Sequence, residues 1–120
     1  MYKIRLYRTR RGEAPVEDYL SGLEDKHRRK VLVHLDLLAR EGPNLRRPYA
    51  DVLRGPLREL RVSLARHEHR VVYYFVKGDF IILLHGFLKK TQEVPEREMK
   101  VAEDRMRDLN SRLQAGEELV

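Results

Sequence analysis

Apolar and polar residues alternate with a period of two along Tyr2-Lys3-Ile4-Arg5-Leu6-Tyr7, the pattern of a strand buried on one side. From Pro15 the period lengthens. Val16, Tyr19, Leu20 and Leu23 share one helical face, Pro15 takes the first helical position, and Gly22 interrupts the run. Asp25 is placed to cap a longer second helix whose stripe is Val31, Leu32, Leu35 and Leu38, stopped by Gly42-Pro43. Residues 42–56 hold three of the five prolines and two of the seven glycines and are expected to be a connecting loop.

Alternation returns over Leu57–Leu64, with Leu60, Val62 and Leu64 facing one way and Glu59, Arg61 and Ser63 the other. A polar turn, Arg66-His67-Glu68, leads into a strand over Arg70–Val76, and Lys77-Gly78-Asp79 marks a tight turn. Phe80–Phe87 is then the third strand of a meander, apolar on both faces and so expected near the centre of a sheet. From Pro95 onward Met99, Ala102, Met106, Leu109 and Leu113 recur at spacings of three and four, which predicts a last helix. The order β-α-α-β-β-β-α predicts a small α+β fold, an antiparallel sheet with helices packed on one face. Residues 1–120 are expected to form a single domain, with 114–120 a flexible tail.

Composition narrows the chemistry. Hydrophobic residues make up 42% of the chain and charged residues 37%, which suits a globular domain. There is no cysteine, so disulfides, thiol nucleophiles and thiolate metal sites are excluded, and a reducing cytoplasm is the expected compartment. No stretch reaches the ~18 apolar residues of a membrane span, and no apolar segment of a secretory signal follows Met1. The net charge is +6, and it is unevenly spread: residues 1–92 hold 20 Lys/Arg against 11 Asp/Glu, whereas 93–120 hold 5 against 8. The basic body attracts polyanions, nucleic acid above all.

The five histidines (His27, His34, His67, His69 and His85) show no metal-ligand spacing, and neither a metal nor a cofactor is expected. What remains is a set of cations and rings on the meander. Arg61, Arg70, His85 and Lys90 are placed to surround one phosphate, and Lys89, Arg58 and Arg66 add further cations for a nucleic-acid backbone. Tyr73 and Phe87 are candidates to stack on unpaired bases. RNA carries its own nucleophile, the 2′-hydroxyl. A protein needs only to align it, accept its proton and stabilise charge on phosphorus. His85 has the ordinary pKa range for proton transfer. Glu59 is placed either as a general base or as the ion-pair partner of an arginine.

Three segments in order resemble a known family: Leu53-Arg54-Gly55-Pro56-Leu57-Arg58-Glu59-Leu60-Arg61-Val62, then Arg70-Val71-Val72-Tyr73, then Leu84-His85-Gly86-Phe87-Leu88-Lys89-Lys90-Thr91-Gln92 followed by Pro95 and Ala102-Glu103. They are similar to the phage-derived Gp49-like, HigB-type toxins of the RelE/ParE superfamily, over about Tyr2 to Leu109. The resemblance implies a RelE-like fold and the toxin of a type II toxin–antitoxin pair, an endoribonuclease cutting mRNA on the ribosome. The implied partners are a helix-turn-helix antitoxin, mRNA and the ribosome. Arg61 and Arg70 fall where the superfamily has phosphate-binding cations, and Lys89 or Lys90 where it has a cation after the last strand. Glu93-Val94-Pro95 replaces the frequent Lys-Thr-Pro, and no tyrosine follows Tyr74. Two alternatives stay open: a ParE-like toxin acting on DNA gyrase by protein contacts, and an inactive phage-derived remnant.

Overall fold

A computed structural model describes residues 1–119. Strand β1 (Lys3–Leu6) is followed by helices α1 (Pro15–Ser21) and α2 (Asp25–Glu41), strands β2 (Ala50–Arg54), β3 (Leu57–Leu64), β4 (His67–Val76) and β5 (Phe80–Leu88), and helix α3 (Glu96–Gln114). The α+β class and the sequence of expected elements hold. Strand β2 is an addition inside the expected loop, and β1 pairs with β5 in parallel, so the five-stranded sheet, ordered β1-β5-β4-β3-β2, is mixed. The helix pair α1–α2 carries the chain across one face, from one edge strand to the other.

Strict alternation in the two inner strands divides the core. Val71, Tyr73, Ile81 and Leu83 join Val16, Leu20, Val31, Leu35 and Leu38 beneath α1 and α2. Val72, Tyr74, Ile82 and Leu84 face the other way and meet Met99, Ala102 and Leu109 of α3. Thus α1 and α2 share one face, while α3 lies on the opposite face. A continuous apolar run such as Phe80–Leu84 needs cover on both sides, because either face left open would expose about 25 cal/mol per Å² of apolar area to water.

Three local features position the functional surface. Gly42 ends α2 at φ 54°, and a Cβ there would lie 2.2 Å from the Tyr2 ring, so only glycine lets the chain turn under that ring. The β3–β4 hairpin turns at Ala65 and Arg66, both at positive φ, rather than at Arg66–Glu68. This adds His67, Glu68 and His69 to β4, opposite Leu64, Ser63 and Val62. In β5 the register slips: Val72 pairs with His85 but Tyr73 with Leu83. The extra residue at this bulge lets Leu84 and His85 both turn toward α3, and returns Gly86 to the α1 face.

The chain after α3 is held at two points: Glu117 accepts from the Arg112 guanidinium at 2.8 and 3.1 Å, and Leu119 packs on the α3-side core. The expected tail therefore lies against the body through Leu119, and Val120 lies outside the described residues.

Gly86 gives a direct check on this packing, since an added Cβ would stand 2.7 Å from the Tyr19 ring. Gly86→Ala is expected to cost about 1–3 kcal/mol by overpacking, read as a lower midpoint in urea denaturation. An unchanged midpoint would show that Tyr19 is not wedged there.

Candidate functional site

The α3 helix covers only part of its face of the sheet. Beyond its N-terminus, the residues of β3 and β4 that alternate toward that face are charged: Glu59 and Arg61 on β3, Glu68 and Arg70 on β4. Arg61 and Arg70 are direct cross-strand partners, as are Ser63 and Glu68. Two like charges at one register position repel unless each finds compensation. Arg70 finds it below the surface. Only 2% exposed, it sets Nε 3.2 Å from Glu59 Oε1 and one terminal nitrogen 3.3 Å from Glu68 Oε1, and donates to the His69 carbonyl at 3.0 Å.

The Arg70–Glu59 contact is an ion pair and not an aligned hydrogen bond, so Arg70 Nε and Glu59 Oε1 lack hydrogen-bond partners. Burial pushes the Glu59 carboxyl above its usual range, while Arg70, Arg61 and Lys89 pull it back. Glu68, nearer solvent, is held below the usual carboxylate range by the Ser63 hydroxyl at 2.7 Å and then by Arg70. In the structure Glu59 is thus the ion-pair partner of Arg70.

Above this buried cluster lie cations of a different kind. The Lys89 amide donates to the Glu68 carbonyl at 2.8 Å, which continues the β4–β5 pairing beyond Leu88 and sets Lys89 beside Glu68. Arg61, Glu68, Arg70, Lys89, Lys90, Thr91 and Gln92 line one open concavity of about 430 Å³. A second, of about 360 Å³, shares Arg61, Lys89 and Gln92 and adds Arg47, Asp51, Glu59, Glu93 and Met99. Together they form one groove with Arg61 and Lys89 on the shared wall. Among the described residues, no carboxylate lies within ion-pair distance of the Arg61, Lys89 or Lys90 side chains. Three cations without a carboxylate at ion-pair distance, around an open groove, can attract an anion.

The other expected residues are dispersed. His85 lines neither concavity. Its Nε2 lies 2.8 Å from Glu98 and its Nδ1 3.3 Å from Arg105, with Phe87 stacked at 5.2 Å. Arg105 can only donate, so Nδ1 accepts and the Nε2 proton goes to Glu98. Burial lowers the His85 pKa, Glu98 opposes the shift and Arg105 adds to it. With both nitrogens engaged under α3, His85 is placed as a structural contact and not as a free acid or base. Tyr73 is fully buried among the α1–α2 core, its phenol pushed up to about 12 by burial, and Phe87 is 6% exposed. Neither offers a ring face for a base to stack on. Arg58 is on the opposite face, 5.6 Å over the Phe75 ring and donating to the Pro43 carbonyl. Arg66 sits at the hairpin tip, exposed.

Glu68, Thr91, Gln92 and Arg47 enter the site without having been anticipated. Glu68 was readable in principle: it stands two residues before Arg70, on the same strand face, once the hairpin turn is placed at Ala65-Arg66. A larger concavity of about 500 Å³ lies between β1 and the end of α3. Its polar groups are already bonded to one another, Tyr7 to Asp108 at 2.6 Å and Arg112 to Asp108, Glu117 and the Arg8 carbonyl. Arg61, Lys89 and Lys90, which have no carboxylate at ion-pair distance, lie in the other groove. Among the described residues, no group of three or more histidines and carboxylates is arranged to hold a metal ion, and no helix is long and apolar enough to cross a membrane.

A family model described as "Phage derived protein Gp49-like (DUF891)" matches residues 18–107, which include every residue of the groove. No curated protein matches the chain.

The two arginines separate by stability. Arg70→Ala would leave Glu59 buried without its cation, at an expected cost of about 3–5 kcal/mol. Arg61→Ala, on the groove wall, is expected to stay within about 0.5 kcal/mol of the parent. Urea denaturation followed by circular dichroism checks both, and equal losses would contradict the assignment of Arg70 as the buried member.

Proposed function

Since the chain belongs to the phage-derived Gp49-like family, a family of RelE/HigB-like toxins, we propose that it is the toxin of a type II toxin–antitoxin pair and cleaves RNA in the groove between β3 and the end of β5. The observation that carries this reading is the set of cations without a carboxylate at ion-pair distance, Arg61, Lys89 and Lys90, on one open wall. Such a wall takes a phosphodiester. Arg61 supplies a planar fork of donors to two phosphate oxygens, and the lysines supply compact charge along the backbone.

The chemistry these residues support is attack by the RNA 2′-oxygen on the adjacent phosphorus. The bond to the 5′-oxygen breaks, leaving a 2′,3′-cyclic phosphate and a 5′-hydroxyl. The 2′-hydroxyl proton passes to a carboxylate of the groove floor. Glu59 suits that role because it lines the groove beside Arg61 and Lys89, and burial raises its pKa, which makes it a stronger base than an exposed carboxylate. The departing oxygen is protonated from the solvent-open side. Arg61 and Lys89 oppose the charge that builds on the phosphorane, and Arg70 holds Glu59 in place from beneath. Messenger RNA on the ribosome is the substrate this reading assigns, with a helix-turn-helix antitoxin as partner.

Primer extension on cellular transcripts after induced expression tests the proposal. Discrete cleavage ends are expected with the parent chain. They should fall by about 10²–10³ in rate with Arg61→Ala, the loss typical of removing one transition-state donor. Intact transcripts alongside growth arrest and broken gyrase–DNA complexes would replace this reading with the gyrase one. Intact transcripts without toxicity would leave an inactive remnant.

A further inference from the structure

On the reverse of β4, behind Arg70, three imidazoles and a phenol meet. The Tyr19 hydroxyl of α1 lies 2.6 Å from His69 Nδ1, and His27 Nδ1 of α2 lies 2.9 Å from His69 Nε2. The His67 ring stands 4.9 Å from that of His27 and 6.2 Å from that of His69. His69 and His27 are 1% and 5% exposed, whereas His67 is open to solvent at the mouth of a cleft of about 180 Å³ that Glu24 also lines. Tyr19 reaches His69 only because Gly86 leaves room for its ring.

The hydrogen bonds restrict how many protons this chain can hold. With Tyr19 donating to His69 Nδ1, the Nε2–H of neutral His69 donates to His27 Nδ1. One added proton can be accommodated if every bond reverses: His27 donates to His69, and His69 donates to the Tyr19 oxygen. A second proton cannot, because two N–H groups would then face each other across 2.9 Å. Protonated His67 would add like charge beside the pair.

We infer that Tyr19, His69 and His27, with His67 at the opening, form a proton-sensitive latch. It holds the α1–α2 corner on the sheet near neutral pH and releases it as the pH falls. The groups facing it are Tyr19 from α1, His27 and the preceding Glu24 from α2, and His67, Glu68 and Arg70 from β4 itself. Burial lowers the His69 pKa most, His27, His67 and Arg70 lower it further, and Glu68 alone opposes them. Burial pushes Tyr19 up to about 12, so it keeps its proton throughout.

The sign follows. A histidine whose folded pKa lies below its unfolded value, about 6.5, leaves stability intact above that pH. Stability is lost as the pH falls through that range, where the unfolded chain takes up more protons. Release would reach the groove, since Glu68 and Arg70 flank His69 and the His69 carbonyl accepts from Arg70.

Hydrogen exchange of the full chain at about pH 7.5 and about pH 5.5, corrected for the intrinsic rate at each pH, tests the latch. Amides of residues 16–28 and 67–70 are expected to lose protection about tenfold or more on acidification while α3 keeps its own. His27→Gln, which can still accept from His69 but adds no proton, should reduce that loss at least about threefold. His67→Gln should shift it to lower pH. Nitrogen-15 NMR of the parent imidazoles decides the matter even if His27→Gln does not fold: the His69 ring should take up its proton below the ordinary histidine range and lose its bond to His27 in the same step. A His69 ring that titrates with its bond to His27 intact, a uniform loss of protection along the chain, or an unchanged acid response in folded His27→Gln would each overturn the inference.

Discussion

Strand β4 is buried on both faces, so any charge it carries must be neutralised inside the protein or unfold it. Its buried charge is Arg70, with Glu68 nearer solvent on the same strand, and the way Arg70 is neutralised sets the layout of the groove. Glu59 from β3 and Glu68 from β4 both lie within ion-pair distance of the guanidinium. Moving an ion of this kind out of water costs several kcal/mol, which only close, well-placed partners offset. With both carboxylates committed to Arg70, its cross-strand partner Arg61 has none and turns to solvent. The buried arginine is thus the reason that a half-buried one has no carboxylate at ion-pair distance.

The bulge in β5 acts in the same way on the second face. By admitting one extra residue it turns His85 under α3, where Glu98 and Arg105 take both its nitrogens. It also sets Gly86 against Tyr19, and so admits the phenol that reaches His69. One irregularity removes a histidine from the groove and makes room for a histidine cluster behind it.

The net charge of +6 is a poor measure of what is available to a ligand. Arg8, Arg28, Arg40, Arg47, Arg54 and Arg112 are all paired with carboxylates of the same chain. The exposed pairs among them, Arg112 apart, add little to stability, about 0–1 kcal/mol each, but all of them cancel charge locally. What matters to an anion is where the remaining cations gather, and one open groove collects three of them. Arg61, Lys89 and Lys90 have no carboxylate at ion-pair distance because the nearby acids serve Arg70, Arg47 and Arg54 instead.

The elements were legible because periodicity is local. Val16 and Leu20, Val31 and Leu38, Leu60 and Val62, and Met99 and Ala102 announce their buried faces from spacing alone. Arg61 and Lys89 were legible too, from strand parity and the end of an apolar run. Strand β2 was not, since prolines and glycines on either side hide five ordinary residues whose strand character comes from pairing with β3. Nor was the fate of His85, Tyr73 and Arg58. Parity gives the two faces of a strand but not which face each helix will cover, and a bulge changes parity without a sequence mark of its own. By itself, then, the sequence determined the helices, the meander and the cations at its end. Tertiary structure decided which charges are buried together and which are left free, because pairing across strands depends on contacts between residues far apart in the chain.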